Sequence, residues 1–502
     1  MVWLGWVQMV LCVGLYVQTC AQSFNQRYDA WGRADLGWSV EGLPDGNYVV
    51  FSNSSYQDSL LYSSVVTSIL ISADGAYLDT SRLTLPERAS YVGWANASGM
   101  AGIGGGIVGG GTAAVGDTNR AALYWYDESG SIIDHRELPL PGRSWIGRQA
   151  KQTPDGGYLL CGETSTTGFV DAFVLKTDEL GIIEWLDTYG DVYIDVASSV
   201  DIGVHTNGYF MGGQQIVSNS NKQLWVQALN DTGAVVWSKV WGGSFDEGLA
   251  HISVLSDGNI LVTSGWGTSP NNYAKYLAKL DHTDGSIIWE QTYGGQCEGC
   301  PLFVGLEIAP GGDLIAVGHT LIPGSSYFGT LLRTTNSGDS LWVRNYQYYD
   351  DMVSNGRGLL RDVQPTPDGG FIAVGVALSV AGHYGQDVWV VKTDSMGCIE
   401  PGCNLITGMA TQLTNLKDAL RLWPNPAHAG ALVQVEIALP EGFKPDGPLR
   451  VTVVSSSGQL VAEEALRGTT GQLPTNNYAP GLYHLHLHDS SRWIAGAKLV
   501  VE

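Results

Sequence analysis

Gly181, Gly233, Gly285 and Gly338 are each followed four residues later by Trp185, Trp237, Trp289 and Trp342, and four further on by Tyr189, Trp241, Tyr293 and Tyr346. A ladder of this kind restricts the chain to stacked copies of one unit, each too small to bury a face alone. Residues 280–295, LDHTDGSIIWEQTYGG, show the unit most clearly. The turns that open each copy stand at Asp45-Gly46, Asp155-Gly156, Asn207-Gly208, Asp257-Gly258, Gly311-Gly312 and Asp368-Gly369. Adjacent copies are roughly fifty residues apart, and the double gap after Asp45 places a degenerate copy near Ser98-Gly99, with its tail in residues 124–133.

Each unit holds four strand candidates of the form GYLLCG, DAFVLKTD, IIEWLDTY and ASSVDI, joined by Gly and Asp turns that suit hairpins. Four antiparallel strands make one propeller blade. The expected fold is all-β: a seven-bladed propeller over residues 22–403, followed by a small C-terminal β-sandwich. The last unit stops at a cysteine pair with two strands missing, and these are sought at the other end of the chain. Phe24 and Tyr28 keep the four-residue spacing, and Trp38-Ser39-Val40 stands before Asp45-Gly46, so the N-terminal strands should close the ring and remove its open edges.

The G-x-x-x-W element resembles the tryptophan-docking motif of quinoprotein-type propellers, and the period near fifty is similar to that of kelch blades. The resemblance implies blade-to-blade packing roles for Trp185, Trp237, Trp289 and Trp342, and no quinone-binding signature accompanies it.

With 49 acidic against 26 basic residues the formal net charge is −23, which argues against nucleic acid and anionic membrane surfaces, since both need clustered Lys and Arg. Residues 1–21 read as a signal peptide, an apolar run ending in Thr19-Cys20-Ala21 with cleavage before Gln22. No later stretch is long and apolar enough to span a bilayer, so the mature chain should lack a transmembrane segment. Cys398 and Cys403 flank a Pro-Gly turn and read as a local disulfide of an oxidising compartment. Cys297 and Cys300 are a second candidate pair, without the further ligands a zinc site needs. Cys161 sits in an alternating strand as a small core residue.

After a polar linker, 404–419, the composition changes. Residues 420–502 resemble the type A C-terminal sorting domain of Bacteroidota type IX secretion, through Pro424-Asn425-Pro426, the turn at Ser457-Gly458, Gly481-Leu482-Tyr483 and the terminal Lys498-Leu499-Val500-Val501. The resemblance implies an export address recognised by the type IX machinery. It further implies passage through the periplasm and a destination in the medium or on the outer surface. His484, His486 and His488 alternate along one strand of this module and are expected on its solvated face.

The loops joining strands one to two and three to four of each unit lie on one side of the disc and vary, as binding loops do. They carry Trp266, Tyr273, His319, Tyr327, Tyr348, Tyr349, His383 and Tyr384 as candidate contacts to a glycan or protein ligand. Asp195, Asp246, Glu247, Glu298, Asp350 and Asp351 recur shortly after the repeat's Tyr or Trp, and read equally well as turn caps. The expected role is binding of a glycan, protein or cation without catalysis. The alternatives are a polysaccharide hydrolase or lyase using Asp246, Asp350, His319 or His383 at the channel mouth, and a purely structural surface protein. No cofactor and no metal site is called for, a structural cation such as calcium being the one admissible addition.

Overall fold

The structure is a computed structural model that describes residues 23–502 except 31–33, 59–60, 84–88, 93–99, 102–106, 116–117, 143, 166–168, 192, 207, 218–220, 299–302, 322–326, 351–353, 356, 379–384, 404–411, 415, 417, 441–442, 457 and 467. The leader, His383, Tyr384, Asp351, Cys300 and most of the linker lie outside the described residues. Among those described, the regular secondary structure is β-strand, with no α-helix. The all-β expectation therefore holds.

Antiparallel four-stranded sheets succeed one another along the chain. In the 145–189 sheet the order is Trp145–Gln152, Tyr158–Thr164, Asp171–Thr177 and Ile183–Tyr189, each strand paired to the next. The same meander recurs over 34–83, 195–241, 251–298 and 303–346, and over 89–137 with one extra short strand. Alternating apolar residues fill both faces of the middle strands, so Tyr158–Thr164 and Phe371–Ala377 are buried almost throughout. Such runs are stable only with a neighbouring sheet on either side.

One expectation about phase is corrected. The fourth strand read in each sequence repeat, such as ASSVDI in Asp195–Ile202, is the first strand of the following sheet, where it pairs with Tyr209–Val217. The repeat thus straddles two sheets, because the chain crosses to the neighbour after the Trp/Tyr strand.

The Trp and Tyr of the ladder dock on the turn of the next sheet. The indole N–H groups of Trp185, Trp237 and Trp342 donate to the carbonyls of Asp231, His282 and Ser395 at 3.0, 3.0 and 3.3 Å. The hydroxyls of Tyr189, Tyr293 and Tyr346 donate to the carbonyls of Gly233, Gly338 and Gly397 at 2.7, 2.6 and 2.8 Å. Glycine is required at these turns twice over: Gly285 has φ +72°, and a Cβ there would lie 2.8 Å from the Trp237 ring. Phe24 and Tyr28 repeat the relation at Gly75, where a Cβ would lie 2.8 Å from the Phe24 ring and the Tyr28 hydroxyl donates to the carbonyl at 2.7 Å.

The strand Phe24–Tyr28 lies antiparallel against Asp387–Thr393, the third strand of the 358–393 sheet, from Phe24 opposite Lys392 to Tyr28 opposite Val388. Asn25 seals it, accepting the Trp389 indole N–H at 2.6 Å and donating to the Gln347 carbonyl at 2.7 Å. Trp38-Ser39-Val40 belongs to the first strand of the 34–83 sheet, and its Ser39 hydroxyl and Val40 N–H donate to Asp362 of the 358–393 sheet at 2.8 and 3.0 Å.

The C-terminal module has the expected two sheets. Leu420–Trp423, Leu432–Ile437 and Thr470–Pro474 form one, and Arg450–Ser455, Leu460–Ala465, Gly481–His488 and Trp493–Val501 lie in the other, around a core that includes Val433, Leu473, Leu485 and Leu499. The module is joined to the repeats by a shared sheet. The short strand Gln412–Leu413 runs parallel to both Ser340–Tyr346 and Trp493–Val501 and joins them into one nine-stranded sheet. Trp493, 1% exposed, packs in one cluster with Trp342, Tyr346, Trp389 and the Cys398–Cys403 disulfide, whose formation bears out the sequence reading. The polar linker ends in buried Leu413, Thr414 and Leu416, which is why it does not separate the two parts.

Two outcomes follow from this packing. Trp493→Ala should cost about 3–5 kcal/mol and lower the unfolding midpoint of the repeats together with the module, seen as one shifted transition in calorimetry. Removing residues 22–30 should expose the edge of Asp387–Thr393 and lower the midpoint, with aggregation seen by light scattering; an unchanged midpoint would refute the pairing.

Candidate functional site

In the 34–83, 145–189, 251–298, 303–346 and 358–393 sheets the first strand ends at an Asp-Gly-type turn, and the hairpin joining the second and third strands lies at the opposite end. Two such hairpins are adjacent. Ile260–Ser269 and Asn272–Leu280 turn through Pro270-Asn271, with Asn271 at φ 60°, a conformation asparagine tolerates better than most residues. That turn sets Gly267 opposite Tyr273 and Gly265 opposite Lys275. In the next sheet His319 stands opposite Gly329 and Leu321 opposite Tyr327. Tyr273, Leu321 and Tyr327 each border one hydrophobic cluster, and the His319 ring lies 6.2 Å from that of Tyr327. The structure therefore pairs His319 with Tyr327, while Tyr273 borders the same cluster as Tyr327. Burial holds His319 at a pKa of about 3, with Arg361 and Lys275 pressing the same way, so the imidazole is neutral throughout the physiological range.

Trp266 stacks on Tyr276, centroids 4.9 Å apart, within the core of its sheet. Tyr348 packs against the cluster around Trp342 and Trp389, and Tyr349 makes an edge contact with Phe443 of the C-terminal module at 5.4 Å. These two therefore stand apart from the hairpin cluster. Asp350 pairs with Ser354 in a short ladder.

The acids near the hairpins are tied to the backbone. Glu247, 1% exposed, accepts the N–H groups of Gly243 and Gly267 at 2.7 Å each, one on each oxygen. Burial pushes its carboxyl up to about 7 in spite of those bonds. Asp246 accepts the Lys222 N–H at 3.1 Å, and Asp195 accepts that of Asp191 at 2.9 Å. They serve as turn caps, which leaves these oxygens little freedom for proton transfer.

A second polar group went unseen in the sequence. The first strands carry a bulge at a matching position, between Gly37 and Ser39, Gly147 and Gln149, Ala197 and Ser199, Phe303 and Gly305, and Leu360 and Asp362. Next to it lie groups that bind the neighbouring first strand: Gln149 accepts the Val200 N–H at 2.8 Å, and Asp201 the Val254 N–H at 2.8 Å. A cavity of about 30 Å³ is lined by Lys151, His251, Glu307 and Asp362, among others. That is the room of about one water molecule, far less than a sugar ring needs. Lys151 pairs with Asp201 at 2.8 Å. Glu41, Glu307 and Asp362 repel one another's charge, but burial is the larger cause that raises all three, Glu307 to about 7 and Asp362 to about 6. The available signal was a charged residue four places before the turn, at Glu41, Lys151 and Glu307.

Among the described residues, Asp29, Asp35 and Asp387 form the one group of three with oxygens within 4.8 Å of one another, where a cation could be held. Asp387 is paired there with Arg27, and Asp35 accepts the Ala30 N–H at 2.7 Å. On the Asp-Gly-turn face a groove of about 330 Å³ runs between the 195–241 and 251–298 sheets, lined by Phe210, Trp237, Asp231 and His282. Cys297 sits opposite Tyr273.

The histidine strand corrects an expectation. His484, His486 and His488 are 7%, 0% and 1% exposed rather than solvated. Their face meets the disulfide loop: His484 Nδ1 lies 3.3 Å from Glu400, and a Cβ on Gly402 would be 3.6 Å from His486 Nε2. His486 Nδ1 accepts the Trp493 indole N–H at 3.0 Å, and burial holds its pKa near 4. The sorting-motif residues are structural. Asn425 donates to the Lys498 carbonyl at 2.7 Å and accepts the Val500 N–H at 3.0 Å, while the Tyr483 hydroxyl donates to the Ala479 carbonyl at 2.7 Å. Pro424 and Pro426 flank Asn425 in cis peptide bonds, and Gly481 begins the strand.

The raised carboxyls have a testable sign. In its native state Glu307 keeps its proton between about pH 4.5 and 7, where the unfolded chain has lost it, so its contribution to stability falls as pH rises through that window. Glu307→Gln should remove this decline: the melting temperature of the variant minus that of the wild type should increase from pH 4.5 to pH 7 and then level off.

Residues 222–375 match the family model described as outer membrane protein assembly factor BamB. Residues 421–502 match that of the secretion system C-terminal sorting domain. No curated protein matches the chain. Similar solved structures include an alpha-L-arabinofuranosidase of Fusarium graminearum in complex with arabinobiose, 10% identical with TM-score 0.41 over 74% of this chain and 98% of that one. Sqt1 from Chaetomium thermophilum, bound to the N-terminus of the ribosomal protein L10, is 10% identical with TM-score 0.39 over 70% and 84%. A protein of unknown function from Dyadobacter fermentans is 7% identical with TM-score 0.42 over 73% and 97%. Likenesses of that size carry no argument about function. The two family matches cover separate parts of the chain: residues 222–375 carry BamB-type repeats, and residues 421–502 a secretion-system sorting domain of the type IX kind, the address of an exported protein.

Proposed function

We propose that residues 22–403 form a seven-bladed propeller closed by the strand Phe24–Tyr28, exported through type IX secretion behind a cleaved signal peptide. In this reading it binds a glycan, without catalysis, at the hairpin-loop face. The succession of sheets and the pairing of Phe24–Tyr28 with Asp387–Thr393 support the ring. The His319–Tyr327 ring pair, with Tyr273 of the adjacent sheet bordering the same apolar cluster as Tyr327, carries the binding reading. Partly buried tyrosines beside an apolar cluster offer an apolar surface with a polar group attached, which suits a sugar face. The tethering of Glu247 and Asp246 to backbone amides, and a cavity no larger than a water among the inner carboxylates, weigh against a carbohydrate hydrolase using those groups.

The test is a glycan array probed with the purified mature chain, with release of reducing ends followed in parallel. Binding without product is expected, and Tyr273→Ala and Tyr327→Ala should each weaken it about tenfold, the size of a moderate interfacial truncation. Product formation abolished by Asp246→Asn would replace this reading with a hydrolase.

A further inference from the structure

The Asp-Gly-turn face, opposite the hairpins, holds a cavity that the glycan reading leaves unused. The groove of about 330 Å³ between the 195–241 and 251–298 sheets lies at the low end of the range of ligand pockets, roughly 300–1,000 Å³. Its walls are largely apolar: Ala228 and Leu229 are buried, Phe210 meets Trp237 with ring centroids 6.1 Å apart, and Val236 is 64% exposed. The Trp237 indole donates to the His282 carbonyl of the neighbouring sheet at 3.0 Å, so this wall is fixed in place by the fold itself.

One charged group in its lining has no structural task. Asn230 caps the turn, its side-chain oxygen accepting the N–H groups of Thr232 and Ala234 at 3.0 and 2.9 Å. The next residue, Asp231, accepts the Trp185 indole N–H through its backbone carbonyl. Among the described residues its exposed carboxylate takes no hydrogen bond and no ion pair. No lysine or arginine lines the groove. The turns of the same face share its sign: Asp45, Asp74, Glu128, Asp284 and Asp339 are exposed, and none of them is in an ion pair among the described residues. Lys176, Lys279 and Arg333, which reach this end of their sheets, are held there by Asp155, Asp257 and Asp313, each at 2.8 Å.

We infer that this groove receives a lysine or arginine side chain of a basic protein segment laid across the acidic turn face. An apolar slot with a free carboxylate suits a side chain that has a hydrocarbon stem and a cationic head. The stem lies against Val236, Leu229 and Trp237, whose indole ring adds its own attraction for a cation, and the head meets Asp231. Charge names the partner class: in a chain of formal net charge −23, the unpaired turn acids repel an anionic ligand and attract a row of positive side chains. The inference stands apart from the glycan reading, which uses the opposite face.

The experiment follows the fluorescence anisotropy of a labelled octapeptide of alternating lysine and glycine on titration with the full mature chain. The same peptide with acetylated lysines is the uncharged control, and neutral glucan oligosaccharides are the competitors. The lysine peptide should bind, and acetylation should abolish its binding. Asp231→Asn should weaken it about tenfold, the loss of one charge-assisted hydrogen bond. Val236→Ser should weaken it roughly threefold, the worth of about one methylene of apolar contact. Asp339→Asn, the same change of charge elsewhere on the face, should alter it less than about twofold, because exposed charges that far from the groove are screened. Asp231, Val236 and Asp339 are all exposed, so the melting temperatures of the variants should match that of the wild type. Equal losses in Asp231→Asn and Asp339→Asn overturn the groove in favour of a diffuse acidic surface. Displacement of the peptide by the neutral oligosaccharides, or binding of the acetylated peptide as tight as that of the lysine form, overturns the basic partner. No binding of the lysine peptide overturns the inference and leaves the glycan reading untouched.

Discussion

The contact between an aromatic ring on one sheet and a turn glycine on the next is what the rest of the structure depends on. Trp237 lies over Gly285, Trp289 over Gly338 and Trp342 over Gly397, each at a distance that leaves no room for a Cβ. Three of the tyrosines that follow such tryptophans bond the same turns, so one element supplies both a large apolar contact and a directional one. A four-stranded meander is two-sided and cannot be stable alone; these contacts fix the spacing at which the next sheet must stand. Where the aromatic pair is missing, other residues take over: Gly130 is met by Val49, and its carbonyl accepts the Ser68 hydroxyl at 2.6 Å.

Given that spacing, the first strands are drawn side by side and their polar groups become mutual partners. Asp362, Asp201 and Gln149 reach across to backbone N–H groups of the adjoining first strand, satisfying donors that no ladder could use. The carboxyls so enclosed are raised by burial, whereas His251 and His319 are lowered by it. The same desolvation works on both signs of charge and shifts each group toward its neutral form.

Continuity of one sheet, rather than a flexible tether, joins the C-terminal module to the repeats. The two-residue strand Gln412–Leu413 lends its backbone to both sides, with Gln347 N–H to Leu413 at 2.8 Å and Thr414 N–H to the Trp493 carbonyl at 2.9 Å. It covers the edge of Ser340–Tyr346, the outer strand of its own sheet, while the disulfide loop covers the histidine strand. Trp342 and Tyr346 of the repeats and Trp493 of the module lie in one core cluster.

What the sequence determined by itself was the repeating, local part. The alternation of apolar residues and the Asp-Gly turns specify strands and hairpins through contacts a few residues apart. The Gly-Trp-Tyr ladder announced sheet-to-sheet packing, Phe24 and Tyr28 could be matched to it across the length of the chain, and Cys398 and Cys403 are close enough in sequence to meet whatever the fold. Only the tertiary structure decided which distant groups meet. Glu41, Glu307 and Asp362 are hundreds of residues apart at the extremes and share surroundings because their strands are adjacent. Tyr348 and Tyr349 look like Tyr273 in the sequence, yet they pack toward the C-terminal part while Tyr273 borders the same cluster as Tyr327. The alternation of His484, His486 and His488 states that they share a face; whether that face meets water or the Glu400 loop depends on what the nine-stranded sheet lays against it.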